Sequence, residues 1–301
     1  MNASAGDFLL PVDKPEGPTS HDLVVAARRA LGTRRIGHTG TLDPFASGLM
    51  ILCVGRATRL AEYLSGLDKT YEAVARLGIA TDTLDREGEV VRESDAWKDV
   101  TRTDIEAALA AMCGEVSQMP PQFSAKKVGG ESMHRKARRG ESVELARVGV
   151  TVHAVDVVSI EIPHVRFNVH CSSGTYIRAM ARDLGDALGV GAHLTALRRT
   201  GVGRFGVDEA IDAGALGESA AVAAALIEPV DALTHLSAVE IDEAGARRLA
   251  NGQRIRWDEM KPGTAIGGNP RVLVSVVRGR DLLAIAEVEA GVLKPRKVFT
   301  T

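Results

Sequence analysis

Cysteine and aromatic residues are scarce in this chain of 301 residues, and charge of neither sign dominates it. The three cysteines, Cys53, Cys113 and Cys171, have no pair at a metal-ligand spacing. An odd, sparse set of this kind excludes a disulfide framework and reads as reduced, buried thiols. Lys and Arg number 37 against 39 Asp and Glu, a net charge of −2, so no uniform basic field is present and any nucleic-acid surface must be a local patch. Aromatic residues make up only 4%, and the three tyrosines, Tyr63, Tyr71 and Tyr176, each call for a reason. Long apolar runs are also missing. Leu49–Val54 and Ala220–Ile227 fall far short of the ~20 residues a bilayer requires. The first residues carry no basic region, and Pro11 breaks the apolar stretch Phe8–Val12, so no secretory signal is expected. The expectation is a soluble cytoplasmic protein.

What is present is ordinary globular material: 45% hydrophobic and 25% charged residues, enough for about two domains. Thr19-Ser20 predicts the start of a helix that runs to Leu31 and stops at Gly32. Leu49–Val54 has strand length. In Thr70–Leu77, Tyr71, Ala73, Ala75 and Leu77 share one face, a period of two that predicts a strand. Thr103 and Glu106 are expected to form a capping box for a helix carrying Ile105, Leu109 and Met112. Val165–Cys171 alternates as a half-exposed strand and leads through Ser172-Ser173-Gly174 into a helix. There Ile177, Met180, Ala181, Leu184 and Leu188 form an apolar stripe that leaves Arg178 aside. Beyond Pro229–Leu236, a short helix at Glu243–Ala250 and strands at Val272–Val277 and Leu282–Val288 predict a small β-rich module.

Charge is uneven. Residues 82–115 hold ten acids and four bases, and residues 124–150 hold seven bases and three acids. With smaller clusters at Arg34-Arg35, Arg198-Arg199, Arg254/Arg256 and Lys294–Lys297, the pattern suggests a shared anionic partner. The densest segment for chemistry is Gly37–Gly48, GHTGTLDPFASG. Asp43 precedes a proline, so its backbone is biased towards extended conformations, and Arg34-Arg35 lie close by in sequence. A carboxylate beside arginines stays ionised, as a nucleophile or base must, although an Asx-turn between a helix and a strand would use the same residue. No Gly-Lys-Ser/Thr follows the glycines, which excludes a P-loop.

The Gly37–Gly48 segment resembles the signature of bacterial tRNA pseudouridine-55 synthases, the TruB family. Further matches follow in the family's order: Leu10–Gly17; Asp68-Lys69-Thr70-Tyr71 with Gly78 and Thr81–Asp85; Ser172–Arg178; Gly191–Leu194; and Leu197–Thr200. The resemblance covers residues 9 to about 210. It implies an α+β pseudouridine synthase fold, with a central, mostly antiparallel mixed sheet flanked by helices. Residues 1–236 would form the catalytic domain, with an RNA-gripping thumb loop at about 121–150. Residues 237–301 would form a PUA-like RNA-binding module.

Carried onto this chain, the resemblance implies that Asp43 is the catalytic aspartate, Tyr71 the tyrosine stacking on the flipped uracil, and Arg178 the arginine paired with the aspartate. It makes Tyr176, Leu197 and Lys14 shape or support the pocket, His38 contact displaced bases, and Lys127 belong to the thumb. His134 departs from the pattern, standing where family members often carry tyrosine. The implied substrate is the T-arm of tRNA, with neither cofactor nor metal and no obligatory protein partner, the chain acting as a monomer. Asp43 would attack C1′ of the ribose or act as a base at C2′ to form a glycal; both routes remain open at this level. Two other readings compete. One is a tRNA-binding protein without catalysis, and the other is a relative that depends on a guide RNA.

Overall fold

The computed structural model describes residues 6–122, 127–128, 131–132, 145–256 and 271–299. Its main body is a mixed ten-stranded sheet. Its strands are β1 (Phe8–Lys14), β2 (Ile36–His38), β3 (Ser47–Val54), β4 (Lys69–Leu77), β7 (Gly114–Gln118), β10 (Val148–Glu161), β11 (His164–Cys171), β12 (Ala192–Val202), β13 (Phe205–Gly206) and β14 (Ile211–Asp212); outside it β5 (Ile79–Thr81) pairs with β6 (Val90–Glu93), and β8 (Lys127–Val128) with β9 (Glu131–Ser132). The order is β14-β1-β3-β12-β4-β11-β10-β7, with β2 paired to β3. Only β1 with β14 and β3 with β12 run parallel along this path. The sheet is therefore mostly antiparallel, as expected.

Burial explains the two strand signatures. β4 has only one face covered: Tyr71, Ala73, Ala75 and Leu77 are buried while Glu72 and Arg76 are exposed, which is the period of two in its sequence. In β3 all residues after Ser47 are buried. Met50, Leu52 and Val54 face the core beneath the helix α1 (Ser20–Ala30), while Leu49, Ile51 and Cys53 face a second core. A strand covered on both faces has no reason to alternate and reads as a continuous apolar run.

Helix α1 begins with a reciprocal capping box, Thr19 with Asp22, and Gly32 follows its end at φ +64°. Helix α2 (Ala61–Ser65) leads into β4. Helix α3 (Arg102–Ala110) is capped two residues earlier than expected, by Thr101 with Asp104 rather than Thr103 with Glu106. Both quartets fit the capping pattern. Ile105 and Leu109, four residues apart and both buried, lie on the helix's inward face. Cys53 and Cys171 are buried, but Cys113, beyond the end of α3, is exposed, which corrects the expectation of three buried thiols.

A second sheet uses β15 (Ser237–Glu240), β16 (Ile255–Arg256), β17 (Arg271–Arg278), β18 (Asp281–Glu289) and β19 (Val292–Val298), ordered β15-β17-β18-β19-β16. It has its own core around Val274, Val276, Ala284 and Leu293. It also lends Ile285 and Phe299 to the apolar layer under Leu49, Ile51 and Cys53. Arg56 and Arg59 reinforce this joint by donating to the carbonyls of Phe299 and Val298 at 2.8 and 2.6 Å. No helix among the described residues is long and apolar enough to cross a membrane.

Candidate active site

A cavity of about 340 Å³ opens where β4, β12, the loop between β2 and β3, and the start of helix α4 (Ile177–Ala187) meet. Asp43, Tyr71, Tyr176, Arg178 and Leu197 all line it, brought together from four separate stretches of chain. Lys69 and Arg199 line it as well, and Asp85 stands behind Arg178. These three lie inside the matched motifs, but their sequence context assigns them no pocket role; Arg199, expected in a basic cluster facing an anionic partner, is instead buried.

Arg178 sits in the first turn of α4, aside from the apolar stripe, and is nonetheless almost fully buried. Its guanidinium holds two carboxylates. Nε lies 3.0 Å from Oδ2 of Asp43 and Nη2 lies 3.3 Å from Oδ1, a bidentate fork. Nη1 lies 3.1 Å from Oδ2 of Asp85 and donates to the Thr83 carbonyl at 2.9 Å. Asp85 is buried and its other oxygen is engaged: the Thr83 hydroxyl donates at 2.6 Å and the Glu87 amide at 3.1 Å. A charge pair this deep is tolerated only with such extra hydrogen bonds. Asp43 is the more open member, with 35% of its side chain exposed on the cavity side.

The loop bearing Asp43 is held from several directions. Leu42 exchanges two hydrogen bonds with Ser20, its amide donating to Oγ at 2.8 Å and its carbonyl accepting from Oγ at 2.9 Å. Lys14 donates to the carbonyls of Ala46 and Pro15 at 2.6 and 2.8 Å. Fully buried there, it is outside the cavity lining, so it supports the loop rather than reaching into the pocket. Burial lowers its pKa, against the opposing pull of Asp43. Arg199, 2% exposed, donates to Leu49 at 2.7 Å and to Gly40 at 3.0 Å. Its direct cross-strand neighbour is Tyr71. Gly48, paired with Arg199 on the other side, allows the two backbones to approach: at φ +106° a Cβ there would lie 2.2 Å from the Arg199 carbonyl oxygen.

Burial pushes the Tyr71 phenol up, with Arg199 opposing the shift, so it is protonated at neutral pH. Burial, helped by Arg199, pulls Lys69 down to about 8, and its ammonium donates to the Ser65 and Leu67 carbonyls at 2.5 Å each. Gln118 grips the Tyr176 backbone twice, accepting from its amide at 2.8 Å and donating to its carbonyl at 3.0 Å. No sequence pattern marked Gln118. His38, half-buried on β2, lies outside the cavity lining, and burial followed by the nearby Arg199 lowers its pKa. The side chain of Lys127 and the whole of His134 lie outside the described residues; the backbone of Lys127-Val128 pairs with Glu131-Ser132.

Two of the basic clusters are already engaged by the protein itself. Arg198 pairs with Asp13, and Lys294, Arg296 and Lys297 pair with Glu289, Glu287 and Glu62. Arg34 and Arg35 remain exposed.

The model of the TruB family pseudouridylate synthase N-terminal domain matches residues 28–177, and that of the tRNA pseudouridylate synthase B C-terminal domain matches residues 178–234. The second match covers Arg178 and strand β12 and ends before the second sheet begins. A tRNA pseudouridine synthase B of Burkholderia mallei is 43% identical over 305 residues, covering 100% of this chain and 99% of the relative. One of Ralstonia pickettii is 43% identical over 303 residues, covering 96% and 93%. Among solved structures, a chain of an H/ACA RNP bound to a substrate RNA containing 2′-deoxyuridine superposes with a TM-score of 0.75 at 25% identity, covering 98% of this chain and 85% of that one. A chain of a Cbf5-Nop10-Gar1 complex gives 0.76 at 26%, covering 97% and 85%. The chain has the pseudouridine synthase fold and belongs to the TruB family of pseudouridylate synthases.

Proposed function

We propose that this chain isomerises uridine 55 in the T-loop of tRNA to pseudouridine, as a monomer in the cytoplasm without a partner protein. The observation that carries the reading is the Asp43 carboxylate, forked by Arg178 at the wall of a cavity that Tyr71, Tyr176 and Leu197 also line. At about 340 Å³ the cavity is at the small end of ligand sites, suited to one extruded nucleoside rather than a duplex. Full-length likeness to enzymes named tRNA pseudouridine synthase B supports tRNA as the substrate.

The target base must leave its stack, at a cost of a few kcal/mol. The ring of Tyr71 offers a face worth ~1–3 kcal/mol of stacking in return. Asp43 then acts in one of two ways. As a nucleophile it attacks C1′ while the C1′–N1 bond breaks; as a base it removes the C2′ proton and a glycal forms. The detached uracil turns within the cavity and C5 bonds to C1′, displacing the Asp43 carboxylate from C1′ in the first route or accompanied by return of the proton to C2′ in the second; the C5 proton then leaves and N1 takes one up. Atoms and electrons balance, so the isomerisation calls for no external oxidant, reductant or group donor. Tyr71 enters protonated, which favours Asp43 as the group that takes the C5 proton. Arg178 aims the carboxylate, and the loop ties from Ser20, Lys14 and Arg199 limit its drift.

In this reading residues 1–236 carry the chemistry and residues 237–301 form a PUA-like module that grips RNA. Lys127, the thumb at about 121–150 and His38 contact the tRNA arm. A guide-dependent enzyme is the second reading, favoured by the superposition on chains of the H/ACA RNP and of the Cbf5-Nop10-Gar1 complex, but at 25–26% identity against 43%.

Tritium release from C5 of labelled uridine in an unmodified tRNA transcript tests the proposal. The wild type should release tritium from naked tRNA, Asp43→Asn should release none while still binding, and a transcript with cytidine at the target should stay silent. Tight binding without release by the wild type would overturn the reading.

A further inference from the structure

A second constellation lies outside the cavity, where β10, β11 and the turn between α2 and β4 converge. His153 sits on β10, in the irregularity between Val152 and Ala154, and His170 on the neighbouring strand β11 pairs with Thr70. Asp68 occupies the turn immediately before β4. Strand alternation sends His170 to the face opposite Val169 and Cys171, which are buried. Nε2 of His153 lies 3.1 Å and Nε2 of His170 lies 3.9 Å from the same oxygen, Oδ2 of Asp68. The three donor atoms fall within 4.8 Å of one another, and the imidazole centroids are 4.7 Å apart.

Ligand bonds of about 2.0–2.1 Å place neighbouring donors roughly 3.3 Å apart in a tetrahedral site and about 2.9 Å apart in an octahedral one. The two observed edges, 3.1 and 3.9 Å, bracket the tetrahedral value and lie above the octahedral one. Both imidazoles are exposed, so small side-chain rotations close the third edge. As Nε2–H tautomers the rings donate to Oδ2; as Nδ1–H tautomers they aim two lone pairs at the point the carboxylate already faces.

We propose that Asp68, His153 and His170 form a binding site for a divalent first-row transition cation such as Zn²⁺. Two imidazoles and one carboxylate suit Zn²⁺, Ni²⁺ or Cu²⁺, whereas Mg²⁺ prefers an all-oxygen shell. The remaining coordination positions face solvent and accept water or an RNA oxygen. The backbone of Asp68 accepts from the Gly203 amide at 2.8 Å, and Lys69 follows directly, so the ion joins β10 and β11 to the turn that leads Lys69 and Tyr71 into the cavity.

Calorimetric titration of the untagged, chelator-treated full chain with ZnCl₂ alone tests this. One ion should bind per chain, and MgCl₂ should produce no heat of binding. His153→Gln, His170→Gln and Asp68→Asn should each weaken Zn²⁺ at least about tenfold. Cys113→Ser, which removes the exposed thiol, should leave binding unchanged. Circular dichroism of each variant without metal checks that the fold persists. Absence of binding, wild-type affinity in both histidine variants, or loss of binding in Cys113→Ser would overturn the proposal.

Discussion

Replacing Arg199 with methionine keeps much of the side-chain volume and removes the guanidinium that ties the Asp43 loop to β12. The Leu49 carbonyl then loses a donor at 2.7 Å in a fully buried place, and the Gly40 carbonyl loses one at 3.0 Å beside the cavity, where water can replace it. An orphaned buried carbonyl costs about 1–3 kcal/mol, which the Leu49 carbonyl incurs in full. Relief from burying the charge itself trims this to about 1–2 kcal/mol. The melting midpoint should fall on the order of 2–6 °C. The larger consequence is kinetic. Gly40 and Thr41 precede Asp43 by two or three residues, and a carboxylate displaced by about 1 Å loses roughly 10²-fold in rate. Single-turnover tritium release at saturating enzyme reads that loss directly, while the Kd for tRNA should stay within about twofold. Arg199→Lys should fall between, since an ammonium lacks the planar fork that reaches Leu49 and Gly40 together. A methionine variant that melts early yet releases tritium at the wild-type rate would refute the positioning argument.

The other expectations concern pH, backbone space and helix register. Lys69 has a folded pKa of about 8 against 10.5 when unfolded, so the unfolded chain binds more protons between those values and stability rises with pH across that window. Its burial therefore costs stability fully below pH 8, up to about 3 kcal/mol; denaturant midpoints of wild type and Lys69→Met should converge from pH 7.5 to 10.5, and a constant gap would contradict this. Gly48→Ala places a Cβ 2.2 Å from the Arg199 carbonyl oxygen at φ +106°, and should destabilise by more than about 3 kcal/mol in urea unfolding. Thr101→Ala should cost about 1 kcal/mol and Thr103→Ala only a few tenths, and equal costs would argue for the later cap.

Local signals were legible wherever a residue's neighbours in sequence are also its neighbours in space. The start of α1 at Thr19, the single covered face of β4 and the alternation of β11 depend on periodicity and capping alone, and each was readable. The motif resemblance likewise singled out Asp43, Tyr71, Arg178, Tyr176 and Leu197, which the fold then gathers around one cavity. Lys14 was readable as a supporting residue, but its backbone carbonyl partners, Ala46 and Pro15, were not. Asp85, Arg199 and Gln118 were beyond reach because their partners lie far along the chain: Asp85 is 93 residues from Arg178, Arg199 is 159 from Gly40, and Gln118 is 58 from Tyr176. The same holds for the basic clusters, where Asp13 and Glu62 neutralise charges that composition left free. Sequence by itself determined the local elements and which residue types carry the chemistry, because propensity and period act over a few residues. Tertiary structure alone decided which charges face the cavity, which are spent on one another, and that Asp68, His153 and His170 meet, because burial and pairing are settled only when distant strands pack.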